Sequence, residues 1–208
     1  MGIKILIAGA GAATLLAAAL PAGAQVVLHD DFDSATQTLN WTGDSVFTST
    51  SAPASVDLIG TGFYDFQPGN GNYVDLDGTT GNGNNPAGQL TSVASFGAGV
   101  YTLSFLLGGN DRTEQTQSTT ISLGNWSTTL TPTAYAPFAL QTFSFTTSVA
   151  GKLVFTENGP SDQQGNLLDN VTLSAGGVPE PASWALMLLG FGGLGAMLRV
   201  RRRQTACA

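Results

Sequence analysis

Residues 101–105 read Tyr101-Thr102-Leu103-Ser104-Phe105, so apolar and polar side chains alternate along the chain. A period of two over a run of this length is typical of a β-strand that buries one face. The same alternation recurs on both sides of this stretch, at residues 73–77, 120–123, 142–146, 152–156 and 170–173. Because Thr, Val and Phe fit a pleated surface, each of these segments is predicted to be a strand.

Turn-forming residues separate the predicted strands. Gly, Asn, Asp and Pro cluster at residues 68–72, 78–88, 108–111 and 158–160, and these residue types suit tight turns. No segment with a helical period lies between them. We therefore predict an all-β fold, an antiparallel jelly-roll β-sandwich over residues 25–174. Its predicted core consists of Leu103, Phe105, Ile121, Phe143, Phe145, Leu153, Phe155, Val171 and Leu173.

The charge pattern excludes several classes of function. Charged residues make up 10% of the 208-residue chain, against about 25% in an average soluble protein. Between residues 25 and 178 the Lys and Arg residues are Arg112 and Lys152, against 13 Asp and Glu. Proteins that bind nucleic acids present a basic face, so this acidic body argues against nucleic acid as a partner.

The single cysteine, Cys207, excludes an intrachain disulfide and a zinc site built from cysteines.

Residues 1–24 have the features of a secretory signal peptide. Lys4 precedes an apolar run from Ile5 to Leu20, and Pro21 follows it. Ala22 and Ala24 form the small-x-small pattern that signal peptidase recognises, which predicts cleavage after Ala24. We therefore expect an N-terminal signal helix and export through the inner membrane. The alternative is an uncleaved membrane anchor.

The C-terminus combines a short motif, an apolar segment and a basic tail. After a small linker at 175–178, the motif Pro179-Glu180-Pro181 precedes the apolar residues 182–198, which include Trp184-Ala185. The apolar segment is near the lower length limit for a helix that spans a bilayer, and we predict a transmembrane helix there. The arginines after it would stay cytoplasmic, which leaves the body outside the membrane. They are Arg199, Arg201, Arg202 and Arg203.

This order of elements resembles the PEP-CTERM sorting signal of Gram-negative bacteria in its PEPxxWA variant, also known as the ice-binding protein C-terminal domain. The resemblance covers residues 178–208, and we assign residues 179–208 to the sorting segment. It implies that a membrane sortase of the exosortase type removes the tail, so that the helix is a transient anchor. It also implies a bacterium that makes exopolysaccharide. A plain C-terminal anchor helix is the alternative.

The body resembles a second family. Residues 72–78, Asn-Tyr-Val-Asp-Leu-Asp-Gly, precede a Gly-rich loop, and residues 99–105 and Gly108-Gly109-Asn110 follow. The domain closes with residues 165–171, Gly-Asn-Leu-Leu-Asp-Asn-Val. This order is similar to the galactose-binding-like jelly rolls that bacteria attach to a choice of surface anchors, and to a plant cell-wall family of unknown function. The resemblance implies an extracellular, glycan-associated setting and no particular reaction.

Jelly rolls of this type often carry one structural Ca²⁺ between their first and last strands. Calcium prefers carboxylate, amide and carbonyl oxygens. Asp30, Asp31 and Asp33 lie near the first predicted strand, and Asp169 and Asn170 lie near the last. We therefore name Asp31, Asp33 and Asp169 as candidate calcium ligands. The alternative is that these residues are solvated turn residues and loop caps.

Aromatic residues supply the candidate contacts to a sugar. Trp41, Tyr64 and Trp126, together with Tyr73 and Tyr135, could stack on a pyranose ring. Asp, Asn and Arg112 side chains could bind its hydroxyl groups. The alternative is that these aromatic residues belong to the core or to strand edges.

The sequence contains no catalytic motif. His29, the single histidine, lies close to the expected cleavage site, and Glu114 and Glu157 are the glutamates of the body. A glycosidase needs two placed carboxylates, and no motif marks such a pair. We therefore predict a non-enzymatic cell-surface or extracellular-matrix protein that binds or organises exopolysaccharide. A glycan-processing enzyme and a purely structural coat protein are the alternatives.

Overall fold

A computed structural model describes residues 23–49, 54–80, 87–110, 112, 114–176 and 190–191. The chain divides into two units: residues 24–176 form the body, and residues 1–23 and 177–208 form the other unit. The predicted signal helix, the cleavage residue Ala22 and the sorting motif lie outside the described residues. Within the predicted segment 182–198, only Gly190 and Phe191 are described, and both are helical. The described residues include no helix with the length and hydrophobicity to span a membrane.

The body is built from β-strands. In chain order they are β1 Gln25–Asp30, β2 Thr38–Trp41, β3 Phe47–Ser49, β4 Val56–Gly60, β5 Asn72–Asp75, β6 Gln89–Ser92, β7 Gly99–Gly108, β8 Thr119–Leu123, β9 Trp126–Leu130, β10 Ala139–Thr147, β11 Leu153–Glu157 and β12 Leu167–Ala175. Every segment predicted from the alternation coincides with or overlaps a strand. Ala175, the first residue of the predicted linker, is the last residue of β12.

Two antiparallel sheets form a sandwich. The larger sheet has the strand order β10-β7-β12-β5-β4-β2, with β1 added alongside β12, and the smaller has the order β3-β6-β11-β8-β9. All pairings are antiparallel, so the prediction of an all-β antiparallel sandwich is confirmed. The core lies between the sheets, because alternate side chains of each strand point inward.

The predicted core residues occupy this interior. In register, Leu103 of β7 faces Phe143 of β10 on one side and Leu173 of β12 on the other. The Phe155 ring of β11 meets the Phe105 ring edge-on, with the ring centroids 5.3 Å apart. All the predicted core residues are buried except Phe143, which is partly buried and packs against the core. The period of two therefore identified the inward face correctly.

The strand β12 changes its partner near its middle. Leu167 and Leu168 pair with β5, whereas residues from Val171 onward pair with β1. The register of β12 against β7 shifts between Asp169 and Thr172. Asn170 lies in this shift and adopts a φ of 51°, a left-handed conformation that Asn tolerates better than most residues. The end of β1 and the start of β5 therefore meet along one edge of β12.

The larger sheet also carries a second apolar cluster on its outer face. Ile59, Tyr73 and Leu167 lie buried there, beneath partly buried side chains from the flanking segments. Those side chains are Leu39, Phe63, Phe66 and Phe138. The loop 61–71 between β4 and β5 supplies two of them, so it folds back over the sheet. This covered outer face is where the candidate site lies.

Candidate functional site

A cleft with a volume of about 360 Å³ opens on the outer face of the larger sheet. Its lining combines aromatic rings with hydrogen-bonding groups of both kinds, donors and acceptors. It is lined by Leu39, Asp57, Ile59, Tyr64, Phe66, Thr79, Arg112 and Gln163. These residues come from β2, β4, the loop 61–71 and three further loops, so the cleft exists only in the folded body.

The Tyr73 hydroxyl fixes the loop that carries the aromatic wall. It accepts hydrogen bonds from the backbone N–H groups of Phe66 at 2.5 Å and Gln67 at 2.9 Å. It also donates to Asp65 Oδ1 at 3.2 Å. Burial raises the pKa of Tyr73 to about 12, so the hydroxyl keeps its proton and this donor role at neutral pH. The loop is therefore anchored from below by a buried side chain.

Tyr64 is the exposed ring of the cleft. Its side chain is 55% exposed, and its ring meets Phe63 edge-on with the centroids 4.9 Å apart. Its φ of 52° is in the left-handed region, which is costly for a tyrosine. Non-glycine residues persist in such conformations when the surrounding structure holds them, often at functional sites. The fold thus presents a large aromatic face to solvent in a fixed position.

Arg112 is held by three contacts. Its Nη2 lies 2.6 Å from Asp75 Oδ2, its Nη1 donates to the carbonyl of Gln163, and its Cζ lies 4.7 Å from the Phe66 ring centroid. Burial raises the pKa of Asp75 well above its ordinary value, and the Arg112 charge opposes that shift. These contacts therefore hold the guanidinium group in one orientation.

Asp57 orders the opposite wall. Its Oδ1 accepts from the backbone N–H of Asn40 at 2.6 Å and of Thr79 at 3.1 Å, and its Oδ2 accepts from Thr79 Oγ1 at 2.5 Å. Asp57 lies directly opposite Asp75 in the β4–β5 register. Both carboxylates are buried and bonded to other groups of the protein. Their arrangement positions Thr79 and Arg112 at the cleft surface.

Asp77 orders the loop 158–166, which contributes Gln163. Asp77 Oδ2 accepts from the backbone N–H groups of Asp162 at 2.7 Å, Gln163 at 2.6 Å and Gln164 at 3.2 Å. Ser161 Oγ donates to its Oδ1 at 2.9 Å. A single buried carboxylate therefore fixes four residues in succession. It does so while Gln163 itself adopts a left-handed φ of 67°.

The structure places the aromatic residues that were predicted as sugar contacts in different environments. Tyr64 lines the cleft, whereas Tyr135 is 50% exposed but does not line it. Trp126 stacks on Phe145, with ring centroids 3.8 Å apart. Tyr73 lies beneath the cleft, where it holds the loop.

Trp41 requires a correction. It is only 5% exposed and packs edge-on against Phe32 in the main core, with ring centroids 6.0 Å apart. A sugar cannot stack on it without opening the sandwich.

Sequence reasoning missed Phe66, Thr79 and Gln163. One signal was available for the first: residues 63–66 read Phe-Tyr-Asp-Phe within a Gly-rich turn region. Three aromatic residues in a predicted loop are unusual unless they pack on something or bind something. No local signal marks Thr79 or Gln163, because remote carboxylates position both.

The candidate calcium ligand Asp169 lies where β12 changes partner, and Asp33 Oδ1 accepts from the backbone N–H of Asn72 at the start of β5. Burial is the main cause that raises the pKa of Asp169 to about 7, and the charges of Asp33 and Asp31 contribute to that rise. Burial is also the main cause that raises the pKa of Asp30 to about 7. The negative charges of Asp44 and Asp31 contribute to this rise. In the folded body the charges of Asp31 and Asp33 therefore act on Asp169.

These residues fit calcium in chemistry. Asp30 Oδ2 is buried and has no hydrogen-bond partner, and a cation would offset the mutual repulsion of the carboxylates. However, no three His, Cys, Asp or Glu side chains in the described part of the chain are arranged to hold a metal ion. The group therefore supplies oxygen donors for calcium without a formed coordination geometry.

Comparison with known proteins gives two findings. Residues 177–203 match the family model of the PEP-CTERM protein-sorting motif. Among solved structures, the K3 cleaved adhesin domain of Lys-gingipain from Porphyromonas gingivalis W83 is similar in fold. It is 16% identical, with 74% of this chain and 100% of that chain covered and a TM-score of 0.52. No protein of curated function matches the chain.

Two xylanase modules also align, with lower structural scores. The CBM22-1–GH10 modules of xylanase 10B from Clostridium thermocellum, solved with xylohexaose, are 12% identical with a TM-score of 0.48. That alignment covers 74% of this chain but 29% of the xylanase chain. The CBM22-1 xylan-binding domain of Xyn10C from Paenibacillus barcinonensis is 11% identical, with 75% and 97% covered and a TM-score of 0.47. The chain thus joins a PEP-CTERM protein-sorting motif to an antiparallel β-sandwich body.

Proposed function

We propose that the body binds a neutral polysaccharide in the cleft described above. The exposed ring of Tyr64 supplies a stacking face, and Thr79, Gln163 and Arg112 supply hydrogen-bonding groups beside it. This pairing of an aromatic surface with a few polar groups is how proteins bind sugars specifically. The single observation that carries the proposal is the position of the exposed Tyr64 ring in this cleft.

The charges favour a neutral ligand over an acidic one. Arg112 is paired with Asp75, so the described residues that line the cleft include no unpaired cation for a uronate or sulfate group. The 13 acidic residues of the body would also repel a polyanion at low salt. A neutral chain with many hydroxyl groups suits both conditions.

The experiment compares two tyrosines. The full chain, purified in mild detergent, is screened against neutral and uronate-containing polysaccharides, and the bound ones are titrated by calorimetry. Tyr64→Ala should weaken binding at least tenfold, which is about 1.4 kcal/mol. Tyr135→Ala is the matched control, because Tyr135 is also exposed and has a φ of 60° but lies outside the cleft lining. Equal affinities of the two variants, or no binding to any polysaccharide, would refute the proposal.

Export and processing form the second part of the proposal. The sorting motif supports export and cleavage of the tail by an exosortase-type membrane sortase in a Gram-negative bacterium, after signal peptidase removes residues 1–24. The apolar segment 182–198 would hold the chain in the inner membrane until then. The mature protein would reach the cell surface or the extracellular matrix and associate there with exopolysaccharide. A structural Ca²⁺ held by Asp31, Asp33 and Asp169 would join the ends of β1 and β12.

The role of a glycan-processing enzyme is less well supported. Such an enzyme needs two carboxylates about 5–10 Å apart that face the sugar. Asp57 and Asp75 are neighbours, but both are buried. Asp57 accepts hydrogen bonds from Asn40 and Thr79, and Asp75 pairs with Arg112. We expect no release of reducing ends when the protein is incubated with the polysaccharides that it binds. A purely structural coat protein would instead show no polysaccharide binding at all.

A further inference from the structure

Three buried oxygen atoms near the loop 158–166 have no hydrogen-bond partner. They are Glu157 Oε1, Asp162 Oδ1 and Asn166 Oδ1. Glu157 is 3% exposed and Asn166 is fully buried. Buried polar atoms are almost always paired, since leaving one unpaired costs free energy. Three such atoms on neighbouring residues therefore call for an explanation.

Contacts on the other side of these groups bring Glu157 and Asn166 together. Thr119 Oγ1 donates to Glu157 Oε2 at 2.7 Å and accepts from Asn166 Nδ2 at 2.9 Å. The donors Asn166 Nδ2 and Thr119 Oγ1 are thus both used in these contacts. The oxygens Oε1 and Oδ1 are left as acceptors without a donor.

Asp162 enters the same group from the loop. Its backbone N–H donates to Asp77 Oδ2 at 2.7 Å, and its carboxylate repels those of Asp77 and Glu157. Burial raises the pKa of Glu157 to about 8, and the negative charges of Asp77 and Asp162 add to the effect. Within the described residues, Asp77, Glu157 and Asp162 form no ion pair; the one between Arg112 and Asp75 lies elsewhere.

We propose that a divalent cation of the calcium type binds between Glu157 Oε1, Asp162 Oδ1 and Asn166 Oδ1. Two carboxylates and an amide are hard oxygen ligands, and Ca²⁺ commonly takes such a mixed set, completed by water and carbonyl oxygens. Only two acidic side chains are direct ligands here. The site therefore agrees with the finding that no three His, Cys, Asp or Glu of the described residues hold a metal by themselves. It involves none of the acidic residues near β1.

The cation would stabilise the cleft from behind. The loop 158–166 carries Gln163, whose carbonyl holds Arg112 in the cleft. A cation that joins Asp162 and Asn166 of this loop to Glu157 of β11 would fix the loop on the smaller sheet. This consequence, unlike the site itself, rests on the proposed polysaccharide binding: removal of the cation should weaken binding several-fold.

The test measures the metal first. The full chain in mild detergent is stripped with a chelator and titrated with CaCl₂ by calorimetry at pH 7. The parent should bind Ca²⁺, and Glu157→Gln and Asp162→Asn should each weaken one binding event at least tenfold. Glu114→Gln is the matched control, because Glu114 is exposed. Asp169→Asn tests the acidic group near β1 and should leave this binding event unchanged.

The outcomes are distinct. No Ca²⁺ binding by the parent, or unchanged binding in both Glu157→Gln and Asp162→Asn, would overturn the proposal and would indicate a protonated Glu157 instead. Circular dichroism shows whether each variant folds. If Glu157→Gln does not fold, the Ca²⁺ titration of Asp162→Asn alone tests the proposal, because Asp162 is only partly buried. If Ca²⁺ binds as expected but no polysaccharide binds, the proposed function fails while the cation site stands.

Discussion

Arg112 and Asp75 form an ion pair, 2.6 Å between Nη2 and Oδ2, in which the acid is buried and the base reaches the cleft surface. The pair joins the interior of the larger sheet to the wall of the cleft. Because Asp75 also faces Asp57 across the strands, Arg112 is the group that keeps two neighbouring carboxylates compatible. Changes at this pair should therefore alter both stability and binding.

Arg112→Ala should lower the free energy of unfolding at pH 7 by about 1–3 kcal/mol, because it leaves a buried acid without its partner. The loss should shrink at acidic pH, where Asp75 takes up a proton and no longer needs a cation. Urea denaturation of parent and variant at pH 5 and pH 7 measures both effects. Lys152→Ala, which removes the other basic residue of the body and no described ion pair, serves as the control. A deficit that does not depend on pH would contradict this account.

Tyr73→Phe should remove the anchor of the loop 61–71 and keep the buried ring. The backbone N–H groups of Phe66 and Gln67 would lose their acceptor, which costs about 1–3 kcal/mol when such groups stay buried. The ring contact with Phe138, with centroids 5.4 Å apart, would remain. Hydrogen exchange should accelerate at the amides of Phe66 and Gln67, and polysaccharide affinity should fall. Unchanged exchange at both amides would show that the hydroxyl does not hold the loop.

Stability should fall as pH rises in the absence of divalent cations. The pKa of Glu157 is about 8 in the folded body against an ordinary value of 4.5, and those of Asp30 and Asp169 are about 7 against 3.8. The folded state therefore binds more protons than the unfolded state between about pH 4 and pH 8, so raising the pH through this range favours unfolding. Thermal unfolding in chelator from pH 5 to pH 8.5 should show a falling Tm.

Two further measurements assign that pH dependence. Glu157→Gln should flatten the upper part of the curve, between about pH 7 and pH 8, since the variant cannot ionise there. Saturating Ca²⁺ should raise the Tm most at high pH, where the carboxylates are charged. A Tm that rises steadily with pH in chelator would mean that these acids are not stabilised in their protonated form.

The tripeptide Pro179-Glu180-Pro181, and not the apolar segment alone, should determine processing. The two prolines favour an extended, polyproline-like conformation that a protease cleft can accept. Replacing the tripeptide with three alanines keeps the segment 182–198 and the arginines, so the variant should stay in the inner membrane at full length. Alanine replacement of residues 176–178 is the matched control. Equal release of parent and variant in a strain with an active sortase would refute the sorting role.

The alternation in the sequence predicted β5, β7, β8, β10, β11 and β12, and it missed the other described strands. β4 escaped prediction because both of its faces are covered: all five residues of Val56–Gly60 are buried, so no alternation remains to detect. The outer face of β4 is covered by the loop 61–71, which reads as an exposed turn region. A single sequence does not reveal that such a loop folds back over a sheet.

The candidate site was predictable only in part, because its parts are joined by buried carboxylates. Tyr64 and Arg112 were identified by residue type, as a tyrosine and a rare basic residue. Gln163 reaches the cleft only because Asp77, far away in the chain, holds its backbone. Trp41 has the same residue type as any sugar-stacking tryptophan, and only the packing against Phe32 shows that it is interior.

The pairing of β1 with β12 determines the order in which the body can be completed during export. Among the described strands, β1 pairs with β12 alone, with Gln25 opposite Ala175. The first strand of the body can therefore pair only after the last strand is available. The contact between β1 and β12 joins residues that are far apart in the sequence, so it is slow to form. In the proposed export, the sandwich would close only once translocation has delivered residues 167–175, when the sorting segment is next to enter the membrane. Under this proposal, the body would complete its fold as the sorting segment reaches the membrane.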